Sequence, residues 1–342
     1  MSPTRWSWQA SSRAATGSSP PWSSTVTRGP RRAITWPRTP PAGGGSSRPI
    51  PPGTDLQGEH EALRLGEFAR GSGIPVPAVQ RSLAGDLIVT ADGMAVSVSG
   101  YVDGAQTAEG GLYGGRWAAV GEAVGRLHRV LAQHPAGPPR QVPASEVCDV
   151  KRAGQRLERL LAQYAKGTVG GEFAAWARQT AEQRLAALPQ VAAMVKALPP
   201  MLTAQTVHGD LASPNVLMRE QEVAGLIDFR PPGQRSAAWE LGRIVLDPRT
   251  VLAGPDWLAG MAEGVAAYRA ANPGLPVEDL LAVPRVAAGY MARSVYPLSE
   301  PIDNPAAVTP ELEAYGRARH AVAGVLAERL DEAEGVLRDR LT

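Results

Sequence analysis

Two short stretches, "HGDLASPNVLM" and "GLIDF", constrain this chain more than anything else in it. Val216–Met218 and Gly225–Ile227 are apolar and short, and the polar "REQE" between them reads as a turn, so the segment is expected to be a β-hairpin. If Val216 faces Ile227, the next pair outward is Asn215 and Asp228. Directly opposed residues hold their Cβ atoms about 4.5–5.5 Å apart. An amide oxygen and a carboxylate at that separation can share one divalent cation, and such hard oxygen donors suit Mg²⁺, which takes its remaining ligands from water and phosphate. Asp210 begins the same loop and is expected beside the metal as a base or a positioning group. "HGD" alone is weak, because Gly-Asp is common in turns, and "IDF" alone is weaker. Together, around one hairpin, they describe the parts that phosphoryl transfer needs: an oriented nucleophile, metal on the phosphates and neutralised charge.

The rest of the chain supplies a setting. Residues 1–54 hold ten Ser, ten Pro, seven Arg and four Trp, with no Leu, Asp or Glu. Such a segment buries too little aliphatic surface to offset its ordering entropy. We read it as an atypical low-complexity segment, either a disordered tail or an out-of-frame translation. Ten prolines and the lack of an apolar stretch argue against a targeting signal. Removing its seven arginines leaves 28 basic against 33 acidic residues, a net of −5, so no broad basic face for nucleic acid is expected. The chain has no apolar run of 18 residues and a single cysteine, Cys148. No membrane span and a cytoplasmic setting are expected.

From Asp55 the texture changes. "GEHEALRLGEFARGSG" reads as a helix, "IPVP" as extended chain, and "DLIVTADGMAVSVS" as two strands around an Asp92-Gly93 turn. Residues 55–104 are thus a small β-rich lobe with one helix. Residues 105–342 are a larger helical lobe. In it Trp117, Val120, Val124, Leu127 and Leu131 mark one apolar face, helices are expected over 150–166, 171–187 and 190–198, and Leu312 to Leu330 lie on a final one. The fold class is α+β and two-lobed.

"HGDLASPN" followed by "GLIDF" resembles the aminoglycoside phosphotransferase and choline kinase family, which has the protein-kinase-like fold. "EHEALRLGEFARGSGIPVP" is similar to the family's small-lobe helix and following strand, "SVSGYVDG" to its hinge, and "GEAVGRLHRVL" to the next helix; the resemblance spans roughly 55–330. It implies an ATP-dependent, Mg²⁺-requiring phosphotransferase acting on a small-molecule hydroxyl. Asp210 then matches the catalytic Asp, and Asn215 and Asp228 the Mg²⁺ ligands. His208 matches a residue that buttresses the loop. Glu61 matches the helix Glu that pairs with a phosphate-binding Lys, and Ser99 to Val102, Tyr101 included, match the hinge whose backbone binds adenine.

Two departures stand out. No Lys precedes Lys151 and no Gly-rich phosphate hairpin is recognisable; Gly43–Gly45 read as low complexity. Arg48 can stand where the Lys is expected, but a guanidinium fork differs from an ammonium point charge, and a solvated loop arginine is the reading preferred for it. After Asp228, Glu240 stands where the family has an Asp that helps fix the catalytic loop. The acceptor pocket is expected after residue 229, with Glu263, Asp279, Glu300 and Asp303 as acidic candidates for a cationic aminoglycoside-type antibiotic. Choline, homoserine or a macrolide are other acceptors the resemblance allows. A catalytically impaired kinase-like binding protein is the rival reading, favoured by the missing Lys and opposed by the complete Asp210, Asn215 and Asp228 set.

Overall fold

The structure, a computed structural model, describes residues 45–51, 53–91 and 93–342. Residues 1–44, and with them most of the low-complexity segment, lie outside the described residues, as does Asp92 of the expected hairpin turn. Gly45–Ile50, which the sequence reading assigns to that segment, is instead a strand, β1. It pairs antiparallel with β3 (Met94–Gly100), which also pairs with β2 (Ile88–Ala91), giving a three-stranded sheet ordered β1-β3-β2. The pairing partner explains the difference: β1 has no amphipathic pattern of its own and is specified by the edge that β3 offers.

Helix α1 (Leu56–Gly71) follows, started by the Asp55 carboxylate accepting from Gln57 N–H at 3.1 Å. The larger lobe contains α2 (Arg116–Leu131), α3 (Val150–Tyr164), α4 (Glu172–Val195), α5 (Ala237–Val245), α6 (Trp257–Ala271), α7 (Val283–Arg293), α8 (Pro310–Glu328) and α9 (Leu330–Leu341), with shorter helical turns between them. The helices expected over 171–187 and 190–198 are one element, α4, because the buried positions Ala177, Ala181, Leu188 and Val191 carry the same face past Pro189. The expected final helix is two, α8 and α9, parted at Arg329.

Two small sheets complete this lobe. β4 (Gln106–Thr107), β7 (Val216–Arg219) and β8 (Glu222–Leu226) form one; β5 (Arg140–Pro143), β6 (Met201–Thr206) and β9 (Gln234–Ser236) form the other. The second is not visible in the sequence pattern: β6 is buried along almost its whole length and so lacks alternation. The expected β7–β8 hairpin forms with its register shifted by one. Val216 faces Leu226 rather than Ile227, and a bulge lies between Leu217 and Met218.

The apolar face of α2 is buried as expected, with Trp117, Val120, Val124, Leu127 and Leu131 all in the main core. α2 and α6 approach so closely that glycines are required where they cross. A Cβ on Gly121 would run into the Gly264 carbonyl, and one on Gly125 would come within 2.7 Å of the Tyr268 carbonyl. Trp117 lies over Gly260 in the same contact. This crossing brings His128 of α2 beside Tyr268 of α6. No helix among the described residues is long and apolar enough to cross a membrane.

The crossing makes a stability prediction of opposite signs. Gly121→Ala should destabilise the protein by about 2 kcal/mol through overpacking. Gly335→Ala in α9, where a Cβ meets nothing within 4 Å, should stabilise it by ~0.5–1 kcal/mol. Chemical denaturation of both variants measures the pair.

Candidate active site

The loop from His208 to Asn215 runs between β6 and β7 and is fixed from below by one carboxylate. Glu240, fully buried on α5, accepts from the His208 backbone N–H at 2.8 Å and from Gly209 N–H at 2.7 Å. Its Oε2 also lies 3.0 Å from His128 Nε2, whose Nδ1 lies 2.9 Å from the Tyr268 hydroxyl. Burial alone would raise the Glu240 pKa, but the contacts to His128, the charge of His208 and the Gly209 N–H outweigh it and hold it below the ordinary carboxylate value. Gly209 adopts φ +90°, and a Cβ there would strike the Arg230 side chain at 2.7 Å. Only glycine serves at that position.

His208 is buried and joins the loop to the hairpin. Its Nε2 lies 2.8 Å from the Ile227 carbonyl, its carbonyl accepts from Arg230 N–H at 2.9 Å, and its ring packs on Phe229 with centroids 4.2 Å apart. Burial lowers its pKa despite the nearby Glu240 charge. Ile227 N–H donates to the Asn215 carbonyl at 3.1 Å. These bonds set Asp228 just beyond Asn215, in the left-handed region at φ 61°. A non-glycine residue held there is strained, and such strain collects at functional sites. Asn215 spends its Nδ2 on the Asp210 carbonyl at 2.8 Å, which leaves its amide oxygen as the group able to serve a cation.

Asp210 is held by two arginines that the sequence reading does not single out. Arg230 donates to Oδ2 at 2.8 Å and Arg243 to Oδ1 at 2.7 Å. Arg243, three residues after Glu240 on the same helix, is mostly buried, whereas Arg230 is largely exposed. The WELGR spacing is the only signal for Arg243, since i and i+3 share a helix face.

Across the cleft, Arg48 on β1 lies 3.1 Å from Asp228 Oδ1 and 3.8 Å from Glu59 Oε2. The α1 glutamate facing this cation is therefore Glu59. Glu61, the residue expected there, instead accepts from Gln57 Nε2 at 2.8 Å one turn away. Two residues on a helix are about 200° apart, so only one can face the sheet. Ser99, Tyr101 and Val102 line the same cleft, a cavity of about 300 Å³ that also reaches Arg48, Glu59, Asp228 and Phe229. A second cavity of about 620 Å³ lies on the other side, walled by Asp210, Asn215 and Asp228 together with four arginines. Asp228 borders both. The four acidic residues expected in an acceptor pocket are absent from its lining. Asp279 is buried elsewhere, accepting from the Thr203 backbone N–H and hydroxyl; Glu263 and Asp303 are exposed.

A sequence model for a phosphotransferase enzyme family matches residues 48–281, more than half of the chain. The chain belongs to this family. It is thus a small-molecule phosphotransferase that uses an alcohol group as acceptor. No curated protein matches its sequence. Solved structures with the same two-lobed, kinase-like fold include a glucosamine kinase (17% identity, TM-score 0.52, covering 78% of this chain and 69% of that one). An AMP-bound spectinomycin phosphotransferase (15%, TM-score 0.52, 83% and 88%) is another. A Plasmodium vivax ethanolamine kinase (11%, TM-score 0.52, 83% and 77%) is a third. At these identities the likeness is one of fold. The phosphotransferase is α+β as expected from its sequence.

Both buried groups beneath the loop have depressed pKa values, so each contributes stability that is present above its ordinary value and lost as pH falls. The melting temperature should begin to drop below the ordinary histidine value of 6.5, as His208 must be protonated on unfolding, and drop again below 4.5 through Glu240. Glu240→Gln, which replaces one of the two accepting oxygens by a donor, should lower stability at neutral pH and flatten the lower of the two steps in a pH series of thermal melts.

Proposed function

We propose that this phosphotransferase moves the γ-phosphoryl group of ATP to a hydroxyl of a small molecule held in the 620 Å³ cavity, with the nucleotide in the 300 Å³ cleft. The observation that carries the reading is the shared wall: Asp228 borders both cavities, and Asp210 and Asn215 line the second. A donor and an acceptor placed in them meet where the carboxylates lie.

In this reading the backbone of Ser99–Val102 binds adenine. Arg48, steadied by Glu59, supplies the cation that pairs with phosphate in place of a lysine. Its present contact with Asp228 is one that phosphate oxygens can replace. The Asn215 amide oxygen and the Asp228 carboxylate are the donors that fit Mg²⁺. Among the described residues there is no group of three or more His, Cys, Asp or Glu able to hold a metal, so the ion takes two protein oxygens here and the rest from phosphate and water. When bound, Mg²⁺ offsets charge on the phosphates.

Asp210 orients the acceptor. Both of its oxygens are fixed by Arg230 and Arg243, which aims the carboxylate and limits its freedom. The acceptor oxygen forms its bond to the γ-phosphorus as the bond to the β–γ bridging oxygen breaks; ADP leaves, and the hydroxyl proton passes to Asp210. Most of the rate comes from position and charge, as expected for a loose transition state. An aminoglycoside-type antibiotic, and with it a role in resistance, draws support from the family but none from the cavity lining, which lacks the expected acidic groups. A kinase-like binding module without catalysis would have no use for Asp210, Asn215 and Asp228 around one cavity.

Asp210→Ala should cut the rate by on the order of 10²–10⁴ while Mg²⁺-ATP still raises the melting temperature. Asp228→Ala should abolish that nucleotide-dependent shift. Full activity in Asp210→Ala would overturn its role, and an unchanged shift in Asp228→Ala would overturn the metal assignment.

A further inference from the structure

We propose that the acceptor is an anion: a small hydroxyl compound carrying a carboxylate or phosphate group, bound through that group by Arg319 and Arg249 on the far wall of the 620 Å³ cavity. The inference rests on the assignment of that cavity to the acceptor.

The wall is a ladder of alternating guanidinium and aromatic groups. Arg243, bound to Asp210, lies over the rings of Trp239 and Tyr290 at 5.1 and 5.9 Å. Arg319 lies over the Tyr290 ring at 4.8 Å and donates to the Tyr315 hydroxyl at 3.3 Å. Arg249 lies over the Tyr315 ring at 4.5 Å. The ladder starts at the catalytic carboxylate and runs along one side of the cavity.

Its charges are unevenly matched. Arg230 and Arg243 are committed to Asp210. Arg249 has Glu109 at 3.2 Å and Asp247 at 3.8 Å. Arg319 forms no ion pair among the described residues, although it is only 3% exposed. Its polar contacts are to the Tyr315 and Tyr290 side chains, hydroxyls rather than carboxylates, and its Nε and Nη2 are buried. Glu311, the remaining carboxylate of the lining, is exposed at the rim. A buried guanidinium stays charged, and leaving it uncompensated is costly. An anionic ligand in this cavity supplies the missing partner.

The surroundings deepen the positive field. Arg184, buried on α4, has its pKa drawn down to about 9 by burial and by the Arg319 charge, so two buried cations sense each other, and among the described residues neither forms an ion pair with a carboxylate. Tyr290 shows the same field: burial would raise its pKa, but Arg319 and Arg243 outweigh burial and lower it. A neighbouring cavity of about 490 Å³ shares Arg243 and Tyr290 and is lined by five further arginines, among them Arg152 and Arg293, against Glu146 and Asp149. A polycationic acceptor would place its ammonium groups against this wall.

The test uses the full chain and two matched series differing in charge: glucosamine, glucose, glucuronate and glucose 6-phosphate, and glycerol, glycerate and glycerol 3-phosphate. Binding is measured by calorimetry with a non-hydrolysable ATP analogue and Mg²⁺ present, and turnover by ADP release. An anionic member of a series should bind at least about tenfold more tightly than its neutral or cationic counterpart, and the carboxylate and phosphate arms identify which group is read. Arg319→Gln and Arg249→Gln should each weaken that binding by about tenfold or more and leave the nucleotide-dependent thermal shift in place, which also reports that the variants fold. Equal or tighter binding of the neutral or cationic compounds, binding of no anionic member, or unchanged binding in both arginine variants would overturn the proposal. Loss of the nucleotide shift in the unmodified chain would instead strike the parent assignment, since that shift does not depend on the acceptor wall.

Discussion

The site depends on one buried carboxylate. Glu240 has no exposure to water, yet it is ionised at neutral pH because it accepts two backbone N–H groups and faces His128. A carboxylate so placed is expensive unless every lone pair is used. Here the expense is offset by bonds that fix the two peptide units just before Asp210. The helix crossing behind it makes this possible. Gly121 and Gly264 let α2 and α6 close on each other, the closure brings His128 and Tyr268 together, and His128 meets Glu240. The helix-packing glycines Gly121, Gly125, Gly260 and Gly264 thus act on the His208–Asn215 loop at a distance.

From the loop, the order passes to the hairpin. His208 bonds the Ile227 carbonyl, Arg230 bonds the His208 carbonyl, and Ile227 bonds the Asn215 carbonyl. These short links over-determine the backbone around Asp228, which is why a non-glycine residue can persist at φ 61° there. The placement of Asp228 beside Asn215 is thus a by-product of backbone hydrogen bonding.

The electrostatics of the two cavities differ in kind. In the 300 Å³ cleft one arginine, Arg48, sits between Glu59 and Asp228, and its charge is shared by those two acids. In the 620 Å³ cavity arginines outnumber accessible acids, and aromatic faces rather than carboxylates hold them apart. The positive character of this side is local. The chain outside its first 54 residues is net negative, so no broad field of the protein produces it.

The sequence alone determined the two-lobed α+β order, the α1 and α2 helices, the existence of the second hairpin and the grouping of Asp210, Asn215 and Asp228, because each is written in local periodicity or in spacing within about twenty residues. It could not determine quantities that depend on long-range pairing. The hairpin register falls one residue short of the expected one because the turn at Glu220 is tight, with Arg219 facing Glu222, and the bulge between Leu217 and Met218 restores only one of the two residues so lost. Glu59 rather than Glu61 meets Arg48 because the face of α1 toward the sheet is set by packing on Phe229, which Gly66 approaches closely, and not by the helix itself. β1 was invisible because its only specification is the free edge of β3, and β6 because full burial erases alternation. Only the tertiary structure gathered Arg230, Arg243, Arg249 and Arg319 into one wall, since they come from a loop and three helices spread over ninety residues, and a charge's partner is chosen by distance in space rather than along the chain.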